Sequence, residues 1–188
     1  MPNTSSLSGH FLIAMPGLGD PNFAHGVTFV CQHGEEGTMG LMVNRVSDYK
    51  LGEVMAQMQM PCEQEEIAAA PVLLGGPVMP ERGFVLHAPD ERKWDSTFHI
   101  SDALAVTTSR DILAAMAQGN GPPRALVALG YAGWGAGQLE QELRDNAWLT
   151  VEADDRVLFD TALEQRWRAA AALVGVDLAH MTHYAGNA

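Results

Sequence analysis

Apolar residues in the first half of the chain come in short runs rich in β-branched and aromatic side chains, separated by glycine and proline. Such runs predict strands, and the run at 27–31 is apolar enough to be covered on both faces. Apolar residues at 51, 54, 55 and 58 instead follow the spacing of one helix face, and Pro61 ends that helix. The predicted strands of this half lie at 9–14, 27–31, 40–43, 72–74 and 82–87.

The second half of the chain mixes strand and helix patterns in the same way. A glycine-rich segment, 130–137, predicts a loop between a strand and a helix. The runs at 148–151 and 157–159 flank a turn at 154–155 and predict a hairpin. The other predicted strands are 98–100, 104–107 and 125–129, and the predicted helices are 108–117, 138–146 and 161–174. The mixture predicts an α+β fold with a mixed sheet, in a single domain over 1–188 with flexible tails at 1–8 and 185–188.

The charge of the chain disfavours some classes of partner. Eleven Lys and Arg against 23 Asp and Glu give a net charge of −12. Because binding to phosphates needs clustered basic residues, direct nucleic-acid binding and anionic membranes are disfavoured, and an acidic surface suits a basic protein partner. No apolar stretch reaches 18 residues and no signal peptide is recognised, so we expect a cytoplasmic protein.

No motif in the sequence specifies a catalytic site, a metal or a cofactor. The segment 130–137 matches neither dinucleotide-binding nor P-loop spacing, although a glycine-rich loop before a helix can hold an anion. Cys31 lies in an apolar run, which favours an inert buried thiol. Two sets of residues could contribute metal ligands, but neither has ligand spacing, so no metal is predicted. These sets are Cys31 with His33 and His87, and His180 with His183.

Five segments, in this order and spacing, resemble the AlgH/YqgE family of bacterial proteins. The resemblance runs from about residue 10 to residue 186. The segments are His10–Pro16, Gly37–Arg45, Gly75–Val78, Arg82–His87, and Gly130–Trp134 continued through Gln138–Glu140 to 146–149.

The resemblance implies a strongly curved, split mixed sheet like a partial barrel, flanked by helices, in a cytosolic protein. One family name reflects a proposed role in regulating alginate synthesis, and the family brings no catalytic residues. The candidate ligand or partner site comprises Asn44, His87, Tyr131, Trp134 and Gln138: three polar side chains at the ends of apolar elements, and two aromatics in the predicted loop. The alternative is structural, with the polar groups satisfying backbone and the aromatics filling the end of the sheet.

Three functions are compatible with these observations. The first is a non-enzymatic regulatory or protein-interaction domain. The second is a binder of a small ligand or anion, or an enzyme, with a pocket near 130–138; a sizeable concave pocket would favour it. The third is a DNA-binding transcriptional regulator, which requires a basic surface that the composition hardly allows.

Overall fold

The structure is a computed structural model that describes residues 6–177. In this part of the chain ten strands form one sheet, which curls into an open half-barrel, and six α-helices pack on it. The strands are β1 His10–Ala14, β2 Val27–Gly34, β3 Gly37–Met42, β4 Val46–Lys50, β5 Pro71–Leu74, β6 Val78–His87, β7 Thr97–His99, β8 Ala105–Thr107, β9 Ala125–Gly135 and β10 Trp148–Glu152. The helices are α1 Leu51–Gln57, α2 Glu65–Ala68, α3 Arg110–Ala117, α4 Gln138–Arg144, α5 Asp155–Phe159 and α6 Arg166–Ala172, with a 3-10 turn Leu163–Gln165 before α6.

The strands follow the order β10-β1-β2-β3-β9-β6-β8-β7. β5 runs parallel to β9, and β4 pairs with β5; every other pairing in the described chain is antiparallel. The predicted α+β class, the mixed sheet and its partial-barrel curvature are therefore confirmed.

β9 is the central strand, and it corrects the prediction of a loop at 130–137. The strand continues to Gly135, because Gly133 and Gly135 pair with Met39 and Gly37 of β3. Glycine in a strand often marks a close approach or a bend, and Gly130, at φ +77°, bends β9 near its middle. The glycines of 130–135, which predicted a loop, therefore lie in a paired strand.

The backbone of 75–76 joins three strands at the bend of β9. The Gly75 N–H donates to the Leu129 carbonyl, and the Gly75 carbonyl accepts from Met42 N–H, each at 2.8 Å. A Cβ on Gly76 would lie 2.1 Å from the carbonyl carbon of Tyr131. The junction between β3, β5 and β9 therefore requires glycine.

Three apolar clusters place the helices on the sheet. The concave side packs against α5 and α6, through Leu158 and Ala170 among others. On the convex side, α1, α2 and α3 cover β5, β6 and β9, while α4 inserts Leu139 against β1, β2 and the end of β9.

The predicted hairpin at 148–159 is wrong. β10 pairs with β1 instead, and 155–159 is helical. The reason is a local cap: the Asp154 carboxylate accepts from Arg156 N–H at 2.8 Å and starts α5, which buries Val157 and Leu158 in the concave core.

We predict that Gly76→Ala destabilises the protein by about 3 kcal/mol, because the added methyl group must push β5 from β9. Gly83→Ala is the matched control, since its Cβ meets nothing within 4 Å, and it should stay within about 0.5 kcal/mol of the wild type. Urea denaturation of both variants measures the difference. Equal stabilities would show that the junction adapts.

Candidate functional site

The concave side of the half-barrel is only partly filled by α5 and α6, and the remainder is an open groove with a volume of about 650 Å³. The concave groove is defined here by the side chains of β2, β3, β6, β7, β8 and β9 that line it. Its apolar lining consists of Cys31, Met39, Val78, Phe84, Phe98, Ile100, Val106 and Tyr131.

Glycines of β9 leave the floor of the concave groove open. Side chains of a strand alternate between faces, so Tyr131, Gly133 and Gly135 share the concave face. A Cβ at Gly133 would meet Tyr131 Cε2 at 3.6 Å and Val78 Cγ2 at 3.9 Å, which are ordinary contacts. The absence of a side chain at Gly133 therefore creates space that a small residue could fill.

Aromatic residues form one side of the concave groove. The rings of Phe84 and Tyr131 meet edge to face, with centroids 6.0 Å apart. Phe98, on the edge strand β7, is 51% exposed. An apolar molecule lying in the groove would cover this ring, and burying an aromatic side chain contributes on the order of 2 kcal/mol.

Two charged residues, Glu36 and Arg82, line the concave groove. The register places Gly37, next to Glu36, opposite Gly135 and Gly83, next to Arg82, opposite Leu129, so the two residues flank different parts of β9. The Arg82 guanidinium carbon lies 5.6 Å from the centre of the Phe84 ring, within cation–π range.

Cys31 lines the concave groove as an inert thiol. It is 7% exposed, and burial raises its pKa to about 12. The thiol is therefore protonated at neutral pH and is a weak nucleophile, as the sequence predicted.

The convex side behind the floor of the groove carries a hydrogen-bonded tryptophan cluster. The indole N–H groups of Trp134 and Trp148 both donate to Glu142 Oε1, at 3.1 and 2.9 Å. Gln138 links this carboxylate to β9: its Nε2 donates to Glu142 Oε2, and its Oε1 accepts from Gly135 N–H, each at 3.0 Å. These bonds fix α4 against the end of β9.

A histidine contacts the first turn of α4. His33 Nδ1 accepts from Leu7 N–H at 2.9 Å, so Nε2 carries the proton and donates to Glu140 Oε1 at 2.6 Å. This hydrogen bond lowers the pKa of the Glu140 carboxyl. Glu140 and Glu142 of α4 are thus both used in structural contacts.

A sequence model of the AlgH-like family (DUF179) matches residues 11–179. A UPF0301 protein of Xanthomonas campestris pv. campestris is 57% identical over 182 residues, which cover 97% of this chain and 96% of the relative. A UPF0301 protein of Stenotrophomonas maltophilia is 55% identical over the full length of both chains.

The chain belongs to the AlgH-like family.

Solved structures agree with the fold of this AlgH-like chain. The solution structure of the AlgH protein from Pseudomonas aeruginosa superimposes with a TM-score of 0.79 at 48% identity, covering 97% of this chain and 96% of that one. A Corynebacterium diphtheriae protein of 19% identity shares the fold, with a TM-score of 0.74 over 92% of this chain and 90% of that one.

The five residues predicted from the AlgH/YqgE resemblance do not form one site. Only Tyr131 presents its side chain to the concave groove; Trp134 lines it from the backbone side and turns its indole to the convex tryptophan cluster. Gln138 belongs to that cluster as well. Asn44 and His87 lie elsewhere, each in a hydrogen-bonded structural position.

Asn44 closes the loop before β2. Its Oδ1 accepts from Val27 N–H, and its Nδ2 donates to the His25 carbonyl, both at 2.9 Å. Arg45 donates to two further carbonyls of the same loop, those of Pro21 and Ala24. Both amide atoms of Asn44 are therefore occupied by backbone, which is the structural alternative considered for this residue.

His87 is 2% exposed on the convex face of β6 and belongs to a directional chain of hydrogen bonds. Its Nδ1 donates to the Ala88 carbonyl at 3.1 Å, so neutral Nε2 accepts from Thr107 Oγ1 at 2.8 Å, and Thr107 accepts from Thr97 at 2.8 Å. Burial lowers the pKa of this imidazole, which stays neutral.

The metal ligand sets considered from sequence are separated or lie outside the described residues. Cys31 faces the concave groove, His33 contacts α4, and His87 is buried on the convex face. Within residues 6–177, no group of three or more His, Cys, Asp or Glu side chains is placed to hold a metal ion. His180 and His183 lie beyond the described part of the chain. Between residues 6 and 177 no helix is long and apolar enough to cross a bilayer.

Sequence reasoning missed Arg82 and Phe84, which line the concave groove. Both lie in a segment that supports the family resemblance, and a signal for them was present. Arg82 and Phe84 alternate with Gly83 along a predicted strand, so they share one face. An arginine two residues before a buried aromatic on a strand indicates a cation at the border of an apolar surface.

We predict that Glu142→Ala lowers the free energy of unfolding by about 2 kcal/mol, because two buried indole donors lose a charged acceptor. Glu142→Gln keeps an amide oxygen for both indoles and should retain most of the stability. Urea denaturation and near-ultraviolet circular dichroism of the tryptophans measure the effect. The role assigned to Glu142 would be wrong if the alanine variant kept both signals.

We predict that His87 makes folding sensitive to mild acid. Its pKa in the folded protein lies below the ordinary 6.5, so the unfolded chain binds the proton more tightly. The stability that neutral His87 contributes to the folded protein is present above about pH 6.5 and is lost as the pH falls below that value. Urea denaturation at pH 7.5 and 5.5 should show a larger loss in the wild type than in His87→Gln. His99→Gln, at an exposed residue of β7, is the control and should behave like the wild type; identical losses in all three proteins would contradict the prediction.

Proposed function

We propose that this AlgH-like chain is a cytoplasmic, non-enzymatic regulatory domain that binds a small amphipathic molecule in the concave groove. The observation that carries this proposal is the space above Gly133, bordered by Tyr131, Phe84 and Phe98. A volume of 650 Å³ lies within the range of small-molecule sites, roughly 300–1,000 Å³. A mostly apolar lining with few polar groups is also typical of such sites.

Binding suits the chemistry of the concave groove better than catalysis does. Its thiol, Cys31, is held protonated by burial, and the buried imidazole of His87 lies on the opposite face of the sheet. A nucleophilic mechanism needs a nucleophile and a base within hydrogen-bond reach of each other. The arrangement of these two residues therefore favours a receptor over an enzyme.

A second candidate function, contact with a protein partner, is favoured by the surface of β4. Val46 and Tyr49 are 53% and 45% exposed, and within the described chain β4 pairs only with β5. The neighbouring Asp48 and Glu53 are exposed acids, which suits a partner with a basic surface. At a net charge of −12, a role in transcription would act through such a protein rather than through DNA itself.

We predict that Gly133→Val abolishes binding to the concave groove without unfolding the sheet. The Cβ fits, valine favours strands, and its methyl groups occupy the open space. N-phenyl-1-naphthylamine, a neutral fluorescent amphiphile, serves as the probe. The wild type should bind it with enhanced fluorescence, and Gly133→Val should weaken binding at least tenfold.

The matched control is Gly19→Val, at an exposed loop glycine whose Cβ meets nothing within 4 Å. This variant should bind the probe like the wild type, and thermal unfolding should show all three proteins folded. The proposed function is wrong if the wild type does not bind the probe, or if Gly133→Val binds it unchanged.

A further inference from the structure

We infer that the concave groove selects singly charged organic anions, with Arg82 binding the anionic group and the aromatic side of the groove covering the apolar body. This inference rests on the proposed ligand-binding function and adds the chemical class of the ligand. Carboxylates, sulfonates and phosphodiesters share the required chemistry: planar or tetrahedral oxygens that accept two hydrogen bonds from one guanidinium.

The alternation of side chains along β6 places Arg82 on the concave face. Glu81 and Gly83 line a cleft on the convex side beside α1 and α3, whereas Arg82 and Phe84 line the concave groove. The Phe84 ring lies 5.6 Å from the guanidinium carbon and holds the side chain against the apolar lining. The cation is thus next to the surface that would receive an apolar body.

The guanidinium of Arg82 has no carboxylate partner within residues 6–177. The five ion pairs of this part of the chain involve His33, Arg92, Arg124 and Arg156. Glu36, the other charged residue of the concave groove, forms no ion pair with Arg82. The arginine donors remain available to a ligand.

The protein as a whole is acidic. With 23 acidic residues against 11 basic ones, the chain repels anions in general. The unpaired guanidinium of Arg82, which lies over the Phe84 ring, therefore provides a local attraction for an anion inside the concave groove. A second negative charge on the ligand would meet this general repulsion with no second unpaired cation in the groove lining to offset it. These two conditions select a monoanion.

A pair of probes that differ only in charge tests the inference. The probe 8-anilinonaphthalene-1-sulfonate has the aromatic framework of N-phenyl-1-naphthylamine with one added sulfonate. Fluorescence titrations should show that Arg82→Gln weakens binding of the sulfonate about ten- to a hundredfold, the usual range for a hydrogen-bonded charge. Binding of the neutral probe should be unchanged. Arg168→Gln, on an exposed arginine of α6, is the control and should change neither affinity.

The outcomes separate this inference from the proposed function. If Gly133→Val blocks both probes and Arg82→Gln weakens only the sulfonate, both are supported. If Gly133→Val blocks both probes while Arg82→Gln binds the sulfonate like the wild type, the groove is a binding site but selection by Arg82 is wrong. If neither probe binds the wild type, both are wrong. Added KCl should weaken the sulfonate alone, since only its affinity includes a charge pair.

Discussion

The close backbone contact between 75–76 and the bend of β9 is the constraint on which the rest of the structure depends. β9 changes neighbours there, from the parallel β5 to the antiparallel β3. The Gly75 N–H donates to β9, and the Gly75 carbonyl accepts from β3. Any Cβ at Gly76 would overlap the Tyr131 backbone. Because two strands share one side of β9, the sheet splits and curls, and the concave face becomes deep enough to hold both helices and an open groove.

Side chains along β9 alternate between the two faces of the sheet, so neighbouring residues of the segment 130–135 have different contacts. Tyr131 and Gly133 face the concave groove, while Trp134 points to the convex side and is fixed by Glu142. The polar network on the convex side holds the end of β9 against α4, so Gly133 and Gly135 on the floor of the groove are positioned by contacts of the opposite face.

Local patterns predicted most of the fold, since apolar β-branched runs became strands and helical spacings became helices. The errors have physical causes. The segment 130–137 is a strand because β3 supplies hydrogen-bond partners that no local pattern reveals. Residues 155–159 are helical because Asp154 caps them, and tertiary burial of Val157 and Leu158 overrides their β propensity. The candidate site was predicted less well. Tyr131 reaches the groove, but the side chains of Asn44, His87 and Gln138 make hydrogen bonds that hold the fold together.

What sequence reasoning could not provide is the location of the unpaired charge. The alternation of Arg82 and Phe84 predicts that they share a strand face, but only the pairing of β6 with β8 and β9 places that face in one groove with Val106 and Tyr131. A ligand lying over Gly133 would touch β3 through Met39 and β6 through Phe84 at the same time. It would therefore span both sides of the split sheet, and its binding energy would oppose any change in the curvature that the 75–76 contact sets. Under the proposed function, occupancy of the groove would be coupled through β9 to the shape of the half-barrel, and a change in that shape would be the signal to a partner.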